Sequence, residues 1–196
     1  MALNNASTRE RIIAAASVLF HQQGIRAASV DLIAERAGLT KRSLYYHFRS
    51  KDDLIAACLE ARDAPNLLIL KQWYARSPGD VAQKVNGIFL SLARAARRKD
   101  WKGCGFLRSA VELAEFPGHP ALVAGRTHKK RVEAWLCCML AGDENTADAK
   151  RLAAQIMLLL DGAFATVLLH REPAYFETAG LAAMTLIHNA NTDTNT

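Results

Sequence analysis

The stretch that decides the fold reads Ser29-Val30-Asp31-Leu32-Ile33-Ala34-Glu35-Arg36-Ala37-Gly38-Leu39-Thr40-Lys41-Arg42-Ser43-Leu44-Tyr45-Tyr46-His47-Phe48. Ser29 is a helix-capping residue, and Leu32, Ile33 and Ala37 behind it give a short helix one apolar face. Gly38 breaks that helix. Thr40 caps the next, which turns Leu44 and Phe48 inward and exposes Lys41, Arg42, Ser43, Tyr45, Tyr46 and His47. Two short helices joined at a glycine form the helix-turn-helix pattern, whose second helix enters the DNA major groove. Long cations at its start can reach base edges, and tyrosine hydroxyls can reach phosphate. From Leu39 to Lys51 the chain carries Lys41, Arg42, Arg49 and Lys51 and no acid, the composition a polyanion favours. A plain helical pair with a solvated basic face would show the same pattern, so spacing alone leaves both readings open.

Working outward, Ser7-x-x-Glu10 is a capping box ahead of Ile12, Ile13, Ala16, Leu19 and Phe20, and Gly24 is a left-handed stop. Ser50-x-x-Asp53 opens a fourth helix, predicted to reach Ala75 unless Pro65 kinks it. Ser77-Pro78-x-Asp80 is read as a fifth helix start, with Ser77 as cap, running to about Arg98. A shorter helix is expected near Phe106–Glu115, and another from His119 or Pro120 to Ala141-Gly142. A polar loop from Asp143 to Thr146 precedes a long apolar helix ending near His170. Glu172-Pro173 separates it from a last helix ending near Asn189, and Asn191–Thr196 reads as a frayed tail. The prediction is an all-α chain of about nine helices with no sheet.

Composition narrows the function. The chain has 196 residues, 51% hydrophobic and 22% charged, with only 11 glycines and 5 prolines, which excludes a disordered or turn-rich β chain. The net charge of +6 permits nucleic-acid or acidic-membrane binding without establishing either. Asn4, Asn5, Arg9, Glu10 and Arg11 interrupt any secretory segment, and Gln155, Asp161 and Thr166 interrupt the most apolar run, Leu152–Leu169. Cys58, Cys104, Cys137 and Cys138 are expected as reduced thiols in a cytoplasm. No nucleophile elbow, His-Glu-x-x-His, P-loop or Cys-x-x-Cys is present, so neither an enzyme nor a resident metal or cofactor is expected.

The run from Thr8-Arg-Glu-Arg-Ile-Ile-Ala-Ala-Ala, through Ser29-Val30-x-x-Ile33-Ala34-Glu35-Arg36-Ala37-Gly38-Leu39, to Ser43-Leu44-Tyr45-Tyr46-His47-Phe48-Arg49-Ser50-Lys51-Asp52-Asp53-Leu54 resembles the DNA-binding domain of the tetracycline-repressor (TetR) family. The resemblance implies an all-helical homodimer acting as a small-molecule-responsive transcriptional regulator. Such a regulator is usually a repressor that leaves a palindromic operator when its effector binds. By position, Ser29 lies near the phosphate backbone. Lys41, Arg42 and Ser43 stand where the family reads bases, and Tyr45, Tyr46 and His47 where it grips phosphate and sugar. Lys51 matches a phosphate contact. The implied division is a three-helix DNA-binding domain at 1–53, a ligand-binding and dimerisation domain at 54–190, and a tail at 191–196.

In the C-terminal part, Gly103-Cys104-Gly105-Phe106 with Glu112-x-x-Glu115-Phe116-Pro117 and His119-Pro120 looks like one subgroup's sixth helix and following loop. The resemblance places an effector pocket among the fifth to eighth helices. Phe89, Phe106, Trp135, Met157 and Phe164 are candidate wall residues, for each of which plain core packing is the alternative. Asp161 interrupts an apolar helix and needs a partner: a ligand, a cation of the partner subunit or an internal bond. Cys104, beside a helix start and near Lys99, Lys102 and Arg108, allows an alternative function as a thiol-based electrophile or redox sensor that still binds DNA. The last two helices are expected to form the dimer interface, with Ile156, Leu159, Leu160, Ala163 and Val167 on one and Phe176, Leu181, Met184 and Ile187 on the other.

Overall fold

The computed structural model describes residues 6–141 and 146–193. Their elements, all helices, are α1 (Thr8–Gln23), α2 (Val30–Arg36), α3 (Lys41–His47), α4 (Lys51–Arg76), α5 (Val81–Ala96), α6 (Gly105–Glu112), α7 (Pro120–Leu140), α8 (Thr146–His170) and α9 (Ala174–Asp193). No strand occurs among the described residues. The chain packs as two units: Met1–Ala64 with Gly105–His128, and Pro65–Cys104 with Lys129–Thr196.

The first unit follows the apolar faces read from the sequence. Ile12, Ala16 and Leu19 of α1 meet Ile33 and Ala34 of α2, Leu44 and Phe48 at α3, and Leu54, Ala57 and Cys58 of α4. Ser7 and Glu10 close the predicted capping box, Glu10 Oε2 accepting from the Ser7 amide at 2.8 Å. Gly38 takes φ +66°, which an L side chain rarely adopts. Around it the Leu39 N–H donates to the Ala34 carbonyl at 2.9 Å and the Gly38 N–H to the Glu35 carbonyl at 2.9 Å, satisfying the last free carbonyls of α2. That geometry is what lets the chain reverse into α3 within four residues. α6 and the start of α7 complete this unit. Phe106 stacks on His128 with centroids 3.8 Å apart, and His128 Nδ1 lies 2.8 Å from Asp63 Oδ1.

In the second unit α5 and α9 run antiparallel. Arg97, just past the end of α5, bonds Glu177 near the start of α9 at 3.0 Å, and Asp80 at the start of α5 lies 3.3 Å from His188 towards the end of α9. Phe89, Ile88 and Val85 of α5 pack with Ile156, Leu160 and Val167 of α8 and with Phe176, Ala183 and Ile187 of α9. Phe164 stands edge-on to Phe176 with centroids 5.1 Å apart.

Four expectations need correction. The cap of α5 is Asp80, which forms a reciprocal capping box with Gln83, and not Ser77. The Ser77 hydroxyl instead donates to the Trp73 carbonyl at 2.8 Å, closing α4. The pattern misled because two capping side chains, Ser77 and Asp80, stand three residues apart, and Gly79 with φ +96° turns the chain between them. α6 ends at Glu112 rather than Glu115. α9 continues to Asp193. Finally, Ile156, Leu160, Ala163, Val167, Phe176 and Ile187 lie in the core of their own unit and not on a free interface face. α8 is apolar on most of its circumference, so periodicity could not tell its inner face from its outer one. For the same reason Ala147–His170 is long and apolar enough to span a membrane by composition, although Leu152, Ile156, Leu160 and Val167 are buried in protein. Positions 143–145 of the expected polar loop and 194–196 of the expected tail lie outside the described residues.

Candidate nucleic-acid interface

α3 is held from beneath and presented outward. Leu44 is fully buried and Phe48 nearly so, which fixes the rotation of the helix. The Thr40 hydroxyl accepts from the Ser43 amide at 3.2 Å, and the Ser29 hydroxyl accepts from the Leu32 amide at 3.1 Å, so both helices of the motif carry the caps read from sequence. Arg11 of α1 reaches the turn itself, Nη2 donating to the Ala37 carbonyl at 2.7 Å. Arg9 lies 5.0 Å from the centroid of the Phe48 ring.

The outward face carries the predicted residues together. Lys41, Arg42, Tyr45 and Tyr46 are exposed, Tyr46 to 86%. Ser43 and His47 are half-buried, and the His47 ring packs edge-on to Tyr46 with centroids 5.3 Å apart. A tyrosine so exposed gains nothing from the core and keeps its hydroxyl for an external acceptor. The basic window is free of acid only along the chain. Lys41 Nζ meets Asp31 Oδ2 of α2 at 3.0 Å, an exposed pair that is weak and exchangeable. Lys51 is turned inward: its Nζ lies 3.5 Å from the Arg26 carbonyl, and burial pulls its pKa down against the charges of Asp52 and Glu112.

Sequence reasoning missed how the loop between α1 and α2 is anchored. Glu112 at the end of α6 accepts from the amides of Ile25 at 2.8 Å and Arg26 at 3.2 Å. Arg108 of the same helix donates to the His21 carbonyl at 3.1 Å. The partners are 86 and 87 residues apart, and no local pattern announces them.

The candidate effector residues are divided between the two units. Phe89 and Met157 are core residues of the second unit, and Trp135 and Phe164 pack against that core. Trp135 meets Tyr74 edge-on with centroids 5.7 Å apart. Phe106 belongs to the first unit, on His128. Asp161 has an internal partner, the Lys129 ammonium, which also lies over the Phe164 ring. Cys104 is half-buried.

The thiols differ sharply. Burial pushes the Cys58 thiol up to about 11, whereas Cys138 is exposed. Since the thiolate is the nucleophile, a pKa two units above the ordinary value leaves about a hundredfold less of it at neutral pH. Timed N-ethylmaleimide labelling followed by peptide mass spectrometry should therefore modify Cys138 early and Cys58 last. Labelling of Cys58 at the Cys138 rate would contradict the described packing.

Residues 12–58 match the family described as bacterial regulatory proteins, tetR family. The chain is 28% identical over 116 residues to the HTH-type transcriptional regulator AcrR of Shigella flexneri, covering 59% of this chain and 54% of that protein. It is 39% identical over 75 residues to the HTH-type transcriptional regulator SrpR of Pseudomonas putida, covering 35% of each. These matches thus span about half and about a third of the relatives' lengths. The fold is shared over nearly the whole chain with a tetR-type transcriptional regulator of Streptomyces avermitilis, at 26% identity and TM-score 0.79, covering 95% of this chain and 99% of that one. Fold and motif together are those of the all-helical, helix-turn-helix class to which these similar regulators belong. Residues 12–58 thus carry the DNA-binding domain of the tetR family of bacterial regulatory proteins.

Proposed function

We propose that this protein is a repressor that binds a palindromic operator as a homodimer in the cytoplasm and releases it on binding a small molecule. One observation carries the reading: α3 turns Lys41, Arg42, Tyr45 and Tyr46 to solvent while Leu44 and Phe48 lock it to the core. Lys41, Arg42 and Ser43 read base edges. Ser29, Tyr45, Tyr46, His47 and Lys51 hold phosphate and sugar. On this reading residues 1–53 form the DNA-binding domain and 54–190 the effector and dimerisation domain. The dimer forms through the outer faces of α8 and α9. There Leu158 and Leu169 are 74% and 77% exposed and Leu181 is 55% exposed, apolar surface that such an interface would cover. Two-fold symmetry then sets two α3 helices on half-sites about 34 Å, or a multiple of it, apart. An effector that prefers a state with the heads misplaced lowers affinity by the coupling factor, typically about 5–150-fold.

Fluorescence anisotropy on the DNA upstream of the protein's own gene, against a scrambled fragment and across a salt series, tests this reading. Tight selective binding by two chains per site is expected. Lys41→Ala should alter base preference. Lys51→Ala should weaken all sequences alike and flatten the salt slope, by about one unit if the ammonium swings out to phosphate. Identical behaviour of the two variants would defeat the assignment of roles.

A further inference from the structure

The outer side of α5 forms a groove with the end of α4 that none of the predicted effector residues lines. Its space is about 680 Å³, within the range of small-molecule sites. Gln83, Gly87, Leu90, Ser91 and Arg94 recur at helical spacing and form one side, opposite the core residues Val85, Phe89 and Leu92. Trp73 and Arg76 in the last turns of α4, with Pro78 after it, form the other.

Three features make this a built site. First, Gly87 lets the end of α4 lie directly on α5, since a Cβ there would overlap the Ser77 hydroxyl. Second, the guanidinium of Arg94 is steered. The buried Ser91 hydroxyl donates to the Gly87 carbonyl at 2.8 Å and accepts from Arg94 Nη2 at 2.9 Å, which fixes the arginine while leaving its other donors open. Third, the charge is uncompensated. No carboxylate lines the groove, and neither Arg76 nor Arg94 has an acidic partner among the described residues. Arg97 and Arg98, on the same segment, both do. Between the cations lie the half-buried indole of Trp73 and the Leu90 side chain, 39% exposed.

An apolar floor with two unpaired planar cations at its edges suits a flat apolar body that ends in a carboxylate, which guanidinium binds through paired hydrogen bonds. We propose that the groove between the end of α4 and the outer face of α5 binds aromatic carboxylates, Arg76 and Arg94 holding the carboxylate and Trp73 and Leu90 the ring. This deepens the effector reading and rests on it for its regulatory meaning alone. The binding test uses no DNA, so it fails or succeeds separately from the regulator assignment.

The test is calorimetric titration of the full chain with 2-naphthoate and with uncharged 2-naphthylmethanol. One carboxylate per chain should bind, with an affinity that falls as salt rises, and the alcohol should bind at least about tenfold more weakly. Arg76→Gln and Arg94→Gln should each weaken 2-naphthoate by about the same factor, with unchanged thermal melting. Leu90→Glu, which adds an acid to a solvent-facing position, should abolish binding. No binding of either compound, equal affinity for both, or indifference to the arginine substitutions would overturn the proposal.

Discussion

Replacing Gly180 by valine is expected to lower the melting temperature by roughly 6–12 °C, the equivalent of about 3 kcal/mol for a chain of this size. The position lies on α9 against Asn86 and Phe89 of α5. A Cβ there would stand 2.8 Å from the Phe89 Cβ and would also overlap the Asn86 side-chain oxygen. Asn86 can swing away, but Phe89 cannot, because it is fully buried in a core built from α5, α7, α8 and α9. The helix pair must separate instead, and the apolar contact between α5 and α9 opens along its length. The control is Asn86→Ala. Its side-chain oxygen is buried without a hydrogen-bond partner among the described residues, so removing it alone should cost little. Combined with Gly180→Val it should restore only part of the loss, since Phe89 still blocks. A Gly180→Val melt within 2 °C of the parent, set against the range expected for overpacking, would show that the two helices can part without penalty.

Replacing Glu112 by alanine is expected to destabilise the loop between α1 and α2 by about 2 kcal/mol and to speed amide exchange at Ile25 and Arg26 by roughly thirtyfold. The carboxylate takes both amides, at 2.8 Å and 3.2 Å, and the side chain of Ile25 beneath it is only 5% exposed. Without the carboxylate the buried amide loses its acceptor and the peptide after Gly24 is free to turn out. Glu112→Gln keeps one acceptor oxygen but loses the charge, so it should fall between parent and alanine. Because Ser29 and the Lys51 contact with the Arg26 carbonyl flank this loop, the alanine variant should also bind operator DNA more weakly. Hydrogen–deuterium exchange by mass spectrometry reads the first effect directly. Unchanged protection at these two amides would remove Glu112 from any role in the reading head.

The sequence disclosed what is local. Ser7, Ser29 and Thr40 as caps, Gly38 as the turn, and Leu44 and Phe48 as anchors all act within a few residues of their own position. The structure finds them as read. Pairings across distance were not legible. Nothing near Lys41 announces that Asp31 faces it, and nothing near Glu112 points to the Ile25 amide. The effector wall was the least legible part. Phe89, Trp135, Met157 and Phe164 fill the same apolar role whether they line a cavity or a core, and side-chain chemistry alone does not separate the two. Arg76 and Arg94 are not legible as a pair in the sequence for a related reason. Isolated arginines on helix surfaces are common, and only the packed turn at Ser77 shows that these two border one groove.

The division of α3 between buried anchors and exposed tips also bears on how such a protein can diversify. Substitution at Arg42, Tyr45 or Tyr46 falls on exposed side chains, and exposed changes usually alter stability by less than about half a kilocalorie per mole. Leu44 and Phe48 allow no such freedom. If these tips read DNA as proposed, a copy can after gene duplication drift to a new DNA address while remaining folded at every step.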